Sequence, residues 1–182
     1  MQHNPTRILP AILAGLLLWA APATAENEKQ MIKQAESAAP ESISKEATIL
    51  GRDRSVLREG TNGWTCMPNT MPNDNAPMCN DAVWMKMMQA MGEGADFSTD
   101  EIGVSYMLKG DGKGGGVSNS DPGHPNAKEA DDYVETGPHL MIILPKHMLE
   151  GITDDPDEGG PWVMWKDTPY AHIMVPIEDM KK

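Results

Sequence analysis

The stretch PHLMIILP, residues 138–145, decides the fold of this chain. Its apolar run from Leu140 to Leu144 is short, and a proline bounds it on each side. Prolines interrupt regular elements, and a short apolar run between such breakers favours a buried strand over a helix. The sequence therefore predicts a strand here.

Other strand patterns lie on both sides of this run. Residues 102–108 alternate between apolar and polar and predict a strand with one buried face. Residues 162–165 and 171–175 predict a hairpin about the turn 166–169. A further hairpin is predicted at Asn62-Gly63, because both residues tolerate the positive φ of tight turns.

One helix pattern stands out between the strands. Asn80 and Asp81 favour its start and Gly92 its end. Its apolar face has helical spacing and consists of Val83, Trp84, Met87, Met88 and Met91. Because strands outnumber helices and short turns join neighbours, we expect an α+β fold, an antiparallel sheet or open barrel with this amphipathic helix packed on it.

The first 25 residues are typical of a cleavable signal peptide. Arg7 precedes an apolar run from Ile8 to Ala21, and the small residues at 23–25 suit signal peptidase. The run is shorter than the roughly 20 apolar residues of a membrane-spanning helix. We therefore expect a periplasmic or secreted protein that is not held in a membrane after cleavage.

The mature chain divides into two parts by composition. Residues 26–46 are polar with few large apolar side chains and predict a mobile N-terminal arm. Residues 47–182 predict a single globular domain. Within it, the glycine-rich segment from Gly110 to Asp132 is expected to be a flexible loop, since it lacks the Gly-Lys-Ser/Thr of a phosphate-binding loop.

The charge of the chain excludes one class of partner. It carries 27 acidic and 15 basic residues, a net charge of −12. Such a field repels phosphate groups, so we expect no nucleic-acid partner. The chain is also rich in methionine, with 15 residues against one phenylalanine, and methionine is both a core filler and a soft metal ligand.

Cys66 and Cys79 are the only two cysteines. In an exported protein such a pair predicts a disulfide. A reactive thiol beside one of the histidines is the alternative, and it requires a free cysteine.

Four segments carry a resemblance. They are LREGTNGWTC at 57–66, PMCND at 77–81, GPHLM at 137–141 and PYAHIMVP at 169–176. Together they resemble a group of uncharacterised exported bacterial proteins, with a match over roughly residues 49–177. The resemblance implies export and carries over no activity.

Histidine and methionine form the most specific candidate site. His139 and Met141, like His172 and Met174, are two residues apart, so each pair shares one face of a strand. Neighbouring strands would bring the four together as soft ligands suited to Cu(I). With Trp162–Trp165 on the hairpin partner of His172, the set looks like the His, Met and Trp site of small periplasmic copper chaperones.

Two other functions remain open. A hydrolase with an unrecognised site could pair His172 with Asp167 or Asp179, although the usual serine-hydrolase and zinc-hydrolase motifs are absent from the sequence. The remaining interpretation is an exported, soluble binding or interaction domain without catalysis, whose partner is a small molecule or a protein. Of the three, this last function is the expectation for the chain, with Cu(I) binding and hydrolysis as alternatives.

Overall fold

The computed structural model describes residues 21–71 and 74–178. Residues 1–20 of the predicted signal peptide lie outside the described residues. Its cleavage therefore stays a prediction. Asp179, one of the two carboxylates considered for His172, is also outside them.

The described part of the chain consists of short strands and a few helices. The α-helices are α1 (Ala21–Glu36), α2 (Glu41–Ser44) and α3 (Ala82–Glu93). The strands are β1 (Thr48–Leu50), β2 (Val56–Arg58), β3 (Thr65–Met67), β4 (Met78–Asn80), β5 (Gly103–Met107), β6 (Val117–Ser118), β7 (Tyr133–Val134), β8 (His139–Ile143), β9 (Trp162–Met164) and β10 (His172–Pro176). Short 3-10 turns cover Ala127–Glu129, Lys146–Leu149 and Pro156–Glu158. None of the described helices is long and apolar enough to cross a membrane.

Eight of the strands form one open sheet in the order β2-β1-β3-β4-β5-β8-β10-β9. The β1–β3 pair is parallel, and the other neighbours are antiparallel. Strands β6 and β7 form a separate pair. The predicted α+β class is confirmed, and of the two predicted architectures the structure has the sheet.

The predicted strands in the second half of the chain are confirmed, with bounds that differ by one residue. They are β5, β8 and the β9–β10 hairpin. Strand β8 lies between β5 and β10, and its residues alternate between buried and half-buried. The apolar run 140–144 thus forms most of an interior strand of the sheet.

The hairpin predicted at Asn62-Gly63 is wrong, because β1 lies between β2 and β3. The hairpin is instead β1–β2, closed by a hydrogen bond from Gly51 N to Ser55 O at 2.8 Å. The following segment then crosses the end of β1 so closely that a Cβ on Gly60 would lie 2.1 Å from Thr48 N. Only glycine fits at this crossing.

Helix α3 is confirmed, with one change at each end. Asn80 belongs to β4, and Asp81 caps the helix by accepting a hydrogen bond from Trp84 N at 2.8 Å. The other carboxylate oxygen of Asp81 accepts from Val104 N at 2.7 Å, which ties the helix to β5. The helix ends at Gly94 in the left-handed conformation, two residues after the predicted stop.

The two faces of the sheet have different covers. Helix α3 places Val83, Trp84 and Met87 in the main core, against the β5, β8 and β10 side chains of one face. On the other face, α1 packs against β1, β3 and β4.

The segment 26–46, predicted to be a mobile arm, is mostly helical and partly buried. It contains most of α1 and all of α2, and Ala35, Ala38 and Ala39 are buried. Small side chains let the segment approach the sheet closely, and Ile32 and Ile43 pack against the same cluster. Residues 25–30 are exposed.

The connection from Gly110 to Asp132 has more internal structure than a flexible loop. It contains β6, whose partner is β7, and one 3-10 turn. A Cβ on Gly116 would lie 2.1 Å from Val134 O, so glycine is required where the loop meets β7.

The predicted disulfide is confirmed. Cys66 on β3 and Cys79 on β4 are directly opposite each other, and both are fully buried. The bond closes the loop of residues 68–77 and contributes to the core that α1 covers.

Replacing both cysteines by alanine should lower the free energy of unfolding by about 3 kcal/mol, because the unfolded chain then loses the constraint of this short loop. Urea unfolding of the oxidised wild type and of the Cys66→Ala/Cys79→Ala variant measures the difference. As a control, thiol labelling of the unfolded, unreduced wild type should find no free cysteine. Equal stabilities, or two labelled thiols in the wild type, would contradict the prediction.

Candidate functional site

Two histidines are buried on neighbouring strands in the sheet's second half. His139 begins β8 and is 0% exposed, and His172 begins β10 and is 1% exposed. Each ring contacts the carbonyl two residues earlier: His139 Nδ1 lies 2.7 Å from Gly137 O, and His172 Nδ1 lies 3.0 Å from Tyr170 O. The same local contact therefore orients both rings.

These contacts determine where each ring carries its proton. A carbonyl oxygen only accepts hydrogen bonds, so the proton of a neutral ring must be on Nδ1. Nε2 of both histidines then presents an unprotonated lone pair. Both Nε2 atoms are buried, and neither has a hydrogen-bond partner within residues 21–71 and 74–178. This is the form in which histidine binds metals, with Nδ1–H held by a carbonyl.

Burial keeps both rings neutral. It lowers the pKa of His172 to about 4, and the nearby His139 lowers it further, against the effect of the Tyr170 carbonyl. Burial also lowers the pKa of His139. Near neutral pH the Nε2 lone pairs are therefore free of protons.

Methionines lie next to both histidines on the same face of the sheet. Residues directly opposite each other in a ladder share a face. Met107 is opposite His139, and Met164 is opposite His172. The side chains at the next positions on that face of β8 and β10 are Met141 and Met174, which are opposite each other. All four methionines are buried.

The register places the four predicted ligands on one face and separates them into two sets. His139 is opposite Pro176, and His172 lies four residues before Pro176 on β10. At the usual strand rise the two histidines are roughly 13 Å apart along the strands. Side chains stand roughly perpendicular to a sheet, so the two rings belong to opposite ends of this face. By register, Met164 and Met174 are the methionines nearest His172, and Met107 and Met141 are those nearest His139.

Two indoles enclose His172. The ring centroids of Trp84 and Trp165 lie 5.1 and 5.0 Å from that of His172, both at 80° to its plane. Trp165 has a positive φ of 55°, and its Nε1 donates to Ser118 O at 2.9 Å. Trp162 is opposite Met174, and its Nε1 donates to Asn119 Oδ1 at 3.0 Å. Ser118 and Asn119, at the end of β6, thus hold the indoles of Trp165 and Trp162 in place.

Sequence reasoning identified some of these neighbours and missed others. Met164 and an indole from the β9 end were expected beside His172. Trp84 was identified as part of the apolar face of α3, but nothing in its spacing indicated a contact with β10. Met107 was assigned to a predicted strand, but its position opposite His139 was not predicted. Pairing of the 102–108 strand with the 140–144 strand would have indicated this contact.

Asp167 does not pair with His172 as the hydrolase alternative requires. Its side chain is exposed, and His172 Nδ1 is held by the Tyr170 carbonyl instead of a carboxylate. No group of three or more His, Cys, Asp and Glu side chains that could hold a metal occurs in the described ranges.

An open pocket lies away from the histidines, along the glycine-rich segment. Its volume is about 610 Å³, and its lining includes Asp74, Asp111, Lys113 and Lys128. Burial raises the pKa of Asp111 to about 7. This space is lined by both charge signs and has none of the buried histidines in its wall.

No protein-family model matches the chain, and neither a curated protein nor a solved structure matches it.

The imidazole of His172 should not titrate between pH 8 and pH 5 in the metal-free protein, because burial lowers its pKa to about 4. The folded pKa lies below the unfolded value of roughly 6.5, so the stability from the neutral ring is complete above about pH 6.5 and is lost as the pH falls towards 4. NMR of ring-labelled histidine measures this, and the spectrum of His172→Ala assigns the signals. A midpoint near 6.5 would show that the ring is exposed to water.

Proposed function

We propose that this chain is an exported protein that binds Cu(I) without catalysing a reaction, and that His172 is the nitrogen ligand. The observation that carries the proposal is the buried, unprotonated and unpartnered Nε2 of His172 beside two methionine thioethers. Met164 and Met174 supply the sulfur atoms. The proposal joins the binding domain expected from the sequence to the copper site that was its alternative.

The energetic cost of the unpartnered atom supports a ligand. An unsatisfied buried acceptor costs about 1–3 kcal/mol, in a domain whose net stability is of the order of 5–15 kcal/mol. Two such atoms occur on one face, at His139 and His172. Apolar residues at the same positions would avoid the cost, and a bound metal removes it.

The ligand types favour a soft monovalent ion. Imidazole and thioether are both neutral, so Cu(I) leaves one positive charge in the core, whereas a divalent ion leaves two without a carboxylate to offset them. The residues next to His172 in this layer include two indoles and two methionines. Indoles next to a buried cation stabilise it through their π systems.

Export rests on separate observations. The chain begins with a pattern typical of a signal peptide, and its two cysteines form a disulfide, which persists in oxidising compartments. We therefore place the mature protein in the periplasm or outside the cell. The acidic net charge disfavours binding to nucleic acid, because it repels phosphate groups.

Wild type should withhold Cu(I) from a competing chelator, and Met174→Leu and Met164→Leu should each withhold less, since leucine preserves volume but offers no ligand atom. His172→Ala should lose the ion from this position. Met67→Leu is the matched control, because Met67 is buried on the same face but lies on β3. His147→Ala, which removes an exposed histidine, is the second control.

The titration needs ascorbate as reductant, because a thiol reductant would open the disulfide and create two artificial Cu(I) ligands. Thiol labelling verifies that the disulfide stays closed. A wild type that withholds no Cu(I) would refute the proposal. Equal retention by wild type, His172→Ala and Met174→Leu would also refute it.

A further inference from the structure

We propose that the same sheet face holds a second Cu(I) ion, bound by His139, Met107 and Met141. This inference rests on the proposed function, since it assigns the same ion to a separate set of ligands. It makes the chain a two-ion carrier.

His139 has every local feature of His172 that a ligand needs. Its side chain is 0% exposed, and its Nδ1 lies 2.7 Å from Gly137 O, so the lone pair is on Nε2. That Nε2 atom has no hydrogen-bond partner in the part of the chain that the structure describes.

The sulfur atoms come from two strands. Met107 is directly opposite His139 on β5, and Met141 is the next residue on the same face of β8. Both are buried, at 3% and 5% exposure. The set of one imidazole and two thioethers repeats the set at His172: one methionine opposite the histidine and one two residues after it.

The two histidines lie towards opposite ends of the β8–β10 ladder, and we therefore assign a separate ion to each. The histidines are separated by roughly 13 Å along the strands. Two single charges at that distance in a protein interior weaken the second binding step by about tenfold or less. Met141 and Met174, directly opposite each other, lie between the histidines and assign one thioether to each site.

The surroundings of the two sites differ in a way that an experiment can use. His172 contacts the rings of Trp84 and Trp165, whereas no aromatic ring is paired with His139 among the described residues. Cu(I) at His172 should therefore quench tryptophan fluorescence more strongly than Cu(I) at His139.

The test counts Cu(I) ions per chain in the mature, disulfide-bonded protein, by chelator competition in ascorbate. Wild type and the control Met67→Leu should hold two ions. His139→Ala and His172→Ala should each hold one, and the double variant none. Loading of His139→Ala should retain the strong fluorescence quenching, and loading of His172→Ala should lose it.

Circular dichroism checks that each variant folds, and if His139→Ala does not, Met107→Leu and Met141→Leu replace it because they preserve packing. Each should weaken one of the two ions at least tenfold and leave the strong quenching in place. A wild type with one ion that His139→Ala or Met107→Leu retains would overturn the second site and leave the proposed function standing. One ion lost from both histidine variants would indicate a single shared site and overturn the inference in the same way. A wild type with no ion would overturn both proposals.

Discussion

The candidate site depends on the register between β8 and β10, in which Met141 is directly opposite Met174. Successive side chains alternate between faces, so a slip of one residue would move every histidine and methionine of one strand to the opposite face. The opposite face of β8, β9 and β10 carries a separate aliphatic cluster, which includes Val163, Ile173 and Leu149. One face therefore carries histidine and methionine, and the other carries aliphatic side chains. Packing of the aliphatic side chains across β8, β9 and β10 fixes the register that keeps the histidines and methionines on one face.

The histidines are what distinguish this core from ordinary methionine packing. Methionine fills irregular spaces well and needs no functional explanation. A histidine whose Nδ1 is fixed by a backbone carbonyl and whose Nε2 has no partner is different, because its burial costs free energy that packing does not recover. The enclosure of His172 by Trp84 and Trp165, with Trp165 anchored to Ser118, adds rigidity to the site. Preorganised ligands of this kind lower the entropic cost of binding an ion.

Local patterns were sufficient for the elements that build the site. Proline boundaries and an apolar run identified β8, two-residue spacing placed each histidine on the face of a methionine, and helical spacing identified α3. The disulfide was predicted because an exported chain with two cysteines normally pairs them. These features are local because they depend on backbone preferences and on side-chain periodicity.

The remaining features depend on contacts between distant parts of the chain. Asn62-Gly63 has the chemistry of a tight turn, yet Gly60 lets the chain pass the end of β1, which then lies between the two expected partners. Ala35 and Ala38 are too small to suggest burial, yet their size lets the end of α1 and the turn after it pack closely on the sheet. The methionine neighbours of each histidine depend on the register between strands, and the spacing of residues within one strand does not determine that register. X-ray absorption at the copper edge of the loaded protein tests the central claim most directly: the account predicts Cu(I) with one imidazole nitrogen and two thioether sulfurs, and a shell of oxygen and nitrogen without sulfur would contradict it.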